Sequence, residues 1–234
     1  MDTPGRVKRM WTPMSSPADA HAGELFTDLS SNDGGGFNAG AYASAGHLLV
    51  MLKATEDLGF LNPDYQQWVR DAHAHRLGVA HYHFCRPENG DPIGEARWFW
   101  HNVQPGFRAG VDRLVLDLEV GDPNTWQAYI EQFDAELERI STLMAILYTF
   151  GSAIGRVRVR SNKYHVASWG TQQPSGAHRA LANGGTLWAW QYTDGQVDPS
   201  GGPTRAAGAN GGMPVDMSVL NPATVRSLRE NLKR

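Results

Sequence analysis

Asp117 and Glu119 flank a single leucine at the end of an apolar run, Leu114-Val115-Leu116-Asp117-Leu118-Glu119-Val120. On a β-strand, side chains at i and i+2 share a face, which sets these two carboxyls side by side, roughly 6–7 Å apart. A buried strand gains nothing structurally from adjacent negative charges, because each is costly away from water unless paired or neutralised. Glycoside hydrolysis does use such a pair. One carboxyl protonates the leaving oxygen while a second carboxylate supports the positive charge that develops on the sugar. A strand end that turns both acids into solvent shows the same local pattern, so the choice rests on the rest of the chain.

The elements around the pair alternate between strand and helix signals. Apolar runs at Phe26–Leu29, His47–Ala54, Val79–Phe84, Ala145–Phe150, Tyr164–Trp169 and Leu187–Tyr192 read as strands beside 114–120. Between them, Asn38–Ala45 and Ile93–Val103 read as helices. Asn62-Pro63-Asp64, Asp122-Pro123 and Asn221-Pro222 carry helix-start chemistry. Trp126, Tyr129, Ile130, Phe133, Leu137 and Ile140 make one apolar helical stripe. This alternation predicts an α/β fold with a parallel sheet, open or closed into a barrel. In both versions ligands bind at the carboxyl ends of the strands. Asp28, Glu56, His83, Asp117, Glu119, Tyr148 and Tyr192 all fall at or near such ends. Residues 194–214 are rich in glycine, proline and small polar residues, a long irregular loop of the kind that serves function or mobility.

The chain of 234 residues is long enough for one large domain with a full core. A net charge of −3 gives no electrostatic case for nucleic acid or anionic lipid. With one cysteine, Cys85, no intrachain disulfide can form. No apolar run reaches the length of about 18 residues that a spanning helix needs, so no membrane insertion is expected. Residues 1–23 hold Arg6, Lys8 and Arg9 but no apolar stretch after them, and read as an N-terminal arm rather than a secretory signal.

Seven short motifs in order resemble the lysozymes of glycoside hydrolase family 25, the Chalaropsis-type N-acetylmuramidases of bacteria and phage endolysins. They are Thr27-Asp28-Leu29-Ser30-Ser31, Lys53-Ala54-Thr55-Glu56, Tyr82-His83-Phe84, Leu116-Asp117-Leu118-Glu119, Leu147-Tyr148-Thr149, Trp190-Gln191-Tyr192 and Val215-Asp216-Met217. The resemblance spans about residues 24–222, and it implies an irregular, flattened β/α barrel with an acidic groove. It casts Glu119 as general acid, Asp117 beside it as the charge stabiliser, and Asp28 and Asp216 as the rest of the acidic floor. Tyr82 and Tyr148 would line the sugar site, and Trp190 would form an apolar wall. Tyr192 and Glu56, at strand ends, join them as substrate-binding candidates. Asp194 and Asp198 compete with Asp216 for the last acid. Where the family usually has glycine after Glu56, this chain has Asp57.

The resemblance implies a muramidase domain over 24–234 that cuts peptidoglycan, with no cofactor and no metal. A phage lytic enzyme of this kind would be made in the host cytoplasm, act as a monomer, and reach the wall with a holin-type partner. A wall-binding barrel without turnover and a chitinase-like glycosidase are the competing readings. His73, His75, His81 and His83 invite a metal reading, but no further ligand stands at a metal-binding spacing. On a strand, His81 and His83 face one side and Tyr82 the other, so His83 and Tyr82 cannot both enter one site without a bulge. Asp33-Gly34-Gly35-Gly36 lacks the lysine and spacing of a phosphate loop and reads as a turn.

Overall fold

The structure, a computed structural model, describes residues 14–169, 184–196 and 201–233. The described elements begin with β1 (Leu25–Leu29), α1 (Ala39–Ser44), β2 (Leu49–Glu56), a short β3 (Phe60–Leu61), α2 (Tyr65–Ala74) and β4 (Gly78–Phe84). Next come α3 (Pro92–Val103), β5 (Arg113–Asp117), α4 (Trp126–Ser141), β6 (Ile146–Phe150) and β7 (Lys163–Ala167). β8 (Thr186–Thr193), β9 (Met217–Leu220) and α5 (Pro222–Asn231) complete them.

Side-chain caps set several helix starts. Asn38 accepts from Ala41 N at 3.0 Å, Asp91 from Gly94 N at 2.8 Å, and Asn221 from Ala223 N at 2.9 Å. Two expected starts sit further along the chain. Asn62 and Asp122 bond the backbone two residues on, at Asp64 N and Asn124 N, and so build turns ahead of α2 and α4.

Among the described residues, eight strands close into an irregular, flattened barrel in the order β1-β2-β4-β5-β6-β7-β8-β9, with β9 returning to β1. β3 adds a hairpin on the edge of β2. Seven barrel strands run parallel, and β9 is antiparallel to both neighbours. The alternation in the sequence predicts a parallel sheet but gives no sign of this last strand, because four residues are too few to show a period.

Strand alternation divides the core into two layers. Phe26, Met51, Ala80, Val115, Ile146, Trp188 and Leu220 fill the barrel, and Val225 and Leu228 of α5 pack beneath them. The other layer, with Leu29, Leu52, Val79, Leu116, Phe99, Phe133 and Leu137, lies between the sheet and the helices. Because β9 runs backwards, α5 covers the end of the barrel that holds the amino ends of the other strands. The carboxyl ends stay open.

Residues 14–23 of the expected arm carry two 3-10 turns, and Pro17 and Gly23 are buried against the domain. Residues 1–13 lie outside the described region.

Candidate active site

Each acid reaches the open end by strand geometry. Asp28 is the inward residue near the end of β1, and Asp117 is the last residue of β5. Regular pairing stops there, but Leu118 N still bonds Tyr148 O at 3.0 Å, and Thr149 Oγ1 donates to Leu118 O at 2.7 Å. The backbone therefore stays extended for two more residues. Leu118 is buried in the outer layer and Glu119 comes up on the Asp117 side, exposed at the rim. Asp216 precedes β9, and only the reversal of that strand brings it to the same end. Its carbonyl accepts from Thr27 Oγ1 at 2.7 Å, which ties it to β1.

The carboxyls form two interacting pairs, Asp117 with Glu119 and Asp28 with Asp216. Burial and the negative charges of Glu119 and Asp28 push Asp117 well above the usual carboxylate range. Asp28 rises through burial and the charge of Asp216. Asp216 is pushed up to about 7 by burial and by Asp33 and Asp194. Burial raises Glu119 too, and its hydrogen bond with Asp117 works against that rise. Each pair is thus built to hold one proton that its members share. Asp117 Oδ1 is buried and has no hydrogen-bond partner.

Tyr82 and Tyr148 lie inside the barrel under the acids, and burial together with the nearby carboxylates keeps both phenols protonated. Glu56, at the end of β2, accepts from Lys53 Nζ at 2.6 Å and from Arg86 Nε at 2.8 Å. Burial alone would raise Glu56, but these cations hold it below the usual range. Lys53 Nζ also sits 4.8 Å over the Phe84 ring, and its charge reaches Asp117.

Two substrate-binding candidates point away from the cleft, and so does His83 near the end of its strand. His83 faces the helices, where Nε2 meets Glu95 at 2.8 Å and Nδ1 meets Thr55 at 2.8 Å. Tyr82 enters the barrel while His83 turns outward, as strict alternation demands. Trp190 and Tyr192 do not line the cleft. Both are buried in the outer layer, with Trp190 Nε1 donating to Ser168 O and Tyr192 OH to Pro203 O. The cause is a bulge: Leu187 pairs with Tyr164 and Ala189 with His165, leaving Trp188 as an extra residue. Trp188 and Ala189 both turn inward, and the phase of Trp190, Gln191 and Tyr192 flips.

That flip delivers Gln191, which was quoted in a motif but given no role. Its Nε2 donates to Asp28 Oδ2 at 3.1 Å, and its Oε1 accepts from Tyr148 OH at 2.9 Å. Asp33 also joins the field at Asp28 and Asp216 from a turn in which its carboxylate caps Ser30 N at 2.5 Å. Of the competitors for the last acid, Asp194 lies near enough to act on Asp216, and Asp198 lies outside the described residues. Asp57 takes a left-handed φ of 48°, a conformation natural to the glycine it replaces. Among the described residues, no group of three or more His, Cys, Asp or Glu could hold a metal ion.

A β/α barrel that gathers paired, partly protonated carboxyls and phenols at its open end has the architecture of a glycoside hydrolase. The profile of glycosyl hydrolases family 25 matches residues 27–200. The chain belongs to this family: it is a glycoside hydrolase of the lysozyme type, which hydrolyses peptidoglycan. None of the curated proteins compared with it matches its sequence. Solved structures of the same fold include the bacterial lysozyme from Streptomyces coelicolor, at 23% identity and a TM-score of 0.69 over 89% of this chain and 97% of that one. The family GH25 lysozyme from Aspergillus fumigatus aligns at 18% identity and 0.64, covering 87% and 97%. The catalytic domain of endolysin ply40 from bacteriophage P40 of Listeria monocytogenes aligns at 19% and 0.64, covering 88% and 96%.

Proposed function

We propose that residues 24–234 cleave the β-1,4 bond between N-acetylmuramic acid and N-acetylglucosamine, with Glu119 as general acid. The observation that carries this reading is the Asp117–Glu119 pair, raised together at the open end of the barrel. A general acid must keep a proton at working pH and must also reach the leaving oxygen. Glu119 has the access and the longer arm, and Asp117 behind it shares the proton. Once Glu119 has given its proton away, the Asp117, Asp28 and Asp216 carboxyls face the positive charge left on the sugar. Tyr82 and Tyr148 contact that sugar, and Glu56 with Lys53 borders its path. Glu119 then takes a proton from the incoming water and is reset.

Digestion of purified peptidoglycan by wild type and Glu119→Gln, followed by borohydride reduction and mass spectrometry, tests the reading. Reduced muramic acid ends are expected from wild type, with the variant slower by about 10²–10⁴-fold. Muramic ends at equal rates from both would remove Glu119 from the role. New N-acetylglucosamine ends would change the bond that is cut. Wall binding with no new ends from wild type would favour a barrel that binds without turnover.

A further inference from the structure

Gln191 joins the Tyr148 phenol to Asp28 of the second acid pair. It sits on the inner face of β8 only because of the bulge at Trp188, and it is buried. Its two ends differ chemically. The amide nitrogen can only donate and the amide oxygen can only accept. With Nε2 donating to Asp28 Oδ2 at 3.1 Å, that oxygen of Asp28 is committed as an acceptor. With Oε1 accepting from Tyr148 OH at 2.9 Å, the phenol proton is committed away from the cleft.

We propose that Gln191 is a positioning residue that sets the direction of hydrogen bonding across the cleft. It leaves the Tyr148 oxygen as an acceptor for an N–H or O–H of the bound sugar, and it turns the shared proton of Asp28 toward Asp216. The inference rests on the muramidase reading given above. It follows from three features. First, a carboxylate could not replace the amide without setting a further negative charge against Asp28. Second, the donation to Asp28 favours its ionised form and so works against the neighbouring charge of Asp216. Third, Tyr148 lies edge-on to His165 at 4.8 Å, and His165 Nε2 meets Ser218 Oγ at 2.9 Å. The ring is thereby held from below, and only the torsion of its hydroxyl is left for Gln191 to set. Gln191 touches no reacting atom in this scheme.

The test compares wild type, Gln191→Met and Gln191→Glu by release of reduced muramic acid ends from purified peptidoglycan across pH 4–9. Gln191→Met keeps the volume and removes both bonds. It is expected to lower kcat by about tenfold to a hundredfold with KM nearly unchanged. Its acid limb should move up by about one pH unit, since an ionised Asp28 loses its donor. In Gln191→Glu the new carboxyl can replace both bonds while protonated, but repels Asp28 once ionised. Its rate relative to wild type should therefore fall steadily as pH rises.

A merely structural role would lower the activity of both variants by factors independent of pH, and that result would overturn the inference. An unshifted kcat and pH profile for Gln191→Met would also overturn it. If Gln191→Met fails to fold, as judged by circular dichroism, the pH trend of Gln191→Glu decides alone. Absence of muramic ends from wild type would instead overturn the muramidase reading, and this inference with it.

Discussion

Asp112 and Asp117 stand five residues apart, at the two ends of β5, and both are buried, at 2% and 5% exposure. Their chemistry nevertheless runs in opposite directions. Asp112 accepts from Val79 N at 3.1 Å and Arg108 N at 2.7 Å, and faces His73 Nε2 at 3.1 Å and His81 Nε2 at 3.5 Å. Burial alone would raise it, but these partners hold it far below the usual carboxylate range. Both histidines contribute to this effect on Asp112, and burial in turn lowers His81. Asp117 has the same burial, like charges for neighbours and an unpartnered Oδ1, and it rises. Burial therefore sets how strongly a carboxyl responds, and its partners set the sign. The closed end of the barrel spends its acid on stability, whereas the open end sets acid against acid, as a site that must hand over a proton requires.

Removing Asp112 tests the stabilising half of the comparison and has the largest expected effect. Asp112→Ala strands two backbone N–H groups and two histidines, and should cost about 3–5 kcal/mol. A chain of this length would then melt about 10 °C or more below wild type. A melting temperature within about 2 °C of wild type would show the network to be neutral.

Asp117→Asn tests the other half, and two readouts should move in opposite directions. Turnover should collapse, because the pair no longer shares its proton. Folding should gain about 1–2 kcal/mol, since a buried acid set against like charges is replaced by an amide that can donate to Glu119. Denaturant unfolding checks the second readout. A loss of stability there would mean that Asp117 is satisfied in a way the geometry does not show.

The same contrast explains what could be read in the sequence. The open-end acids were legible because strand alternation makes i and i+2 neighbours, and Asp117 and Glu119 need nothing further to meet. Asp28 was legible as a polar residue at the end of an apolar run. Asp216 could be reached only through resemblance to a family, since its place depends on an antiparallel strand too short to announce itself. Trp190 and Tyr192 went astray for a single reason. Period-2 counting along Leu187–Tyr192 carries no mark of the bulge at Trp188, and one extra residue exchanges the two faces. Gln191 was hidden by the same residue. Asp112 was invisible, because its partners come from α2, β4 and the turn before β5, and only the closed barrel brings them together.

The pH dependence of stability gives the subtlest separation of the two ends. Asp112 is depressed in the folded state, so its contribution is present above the unfolded carboxylate value, about 4, and is lost as pH falls toward its folded value. The paired open-end acids are raised. Their protonated forms favour the fold below about pH 4, and that advantage is lost as pH climbs through their folded values, about 7 for Asp216. Wild type should therefore lose stability in two separate windows, below pH 4 and between about pH 4 and 7. Asp112→Asn should flatten only the lower window, and Asp117→Asn only part of the upper one, by about 1 kcal/mol. Urea midpoints taken from pH 2 to 8 resolve the two. If Asp117→Asn and wild type ran parallel between pH 4 and 7, the charge strain at the open end would have to lie with Asp28 and Asp216. The pair carrying the catalytic proton would then be the less strained of the two.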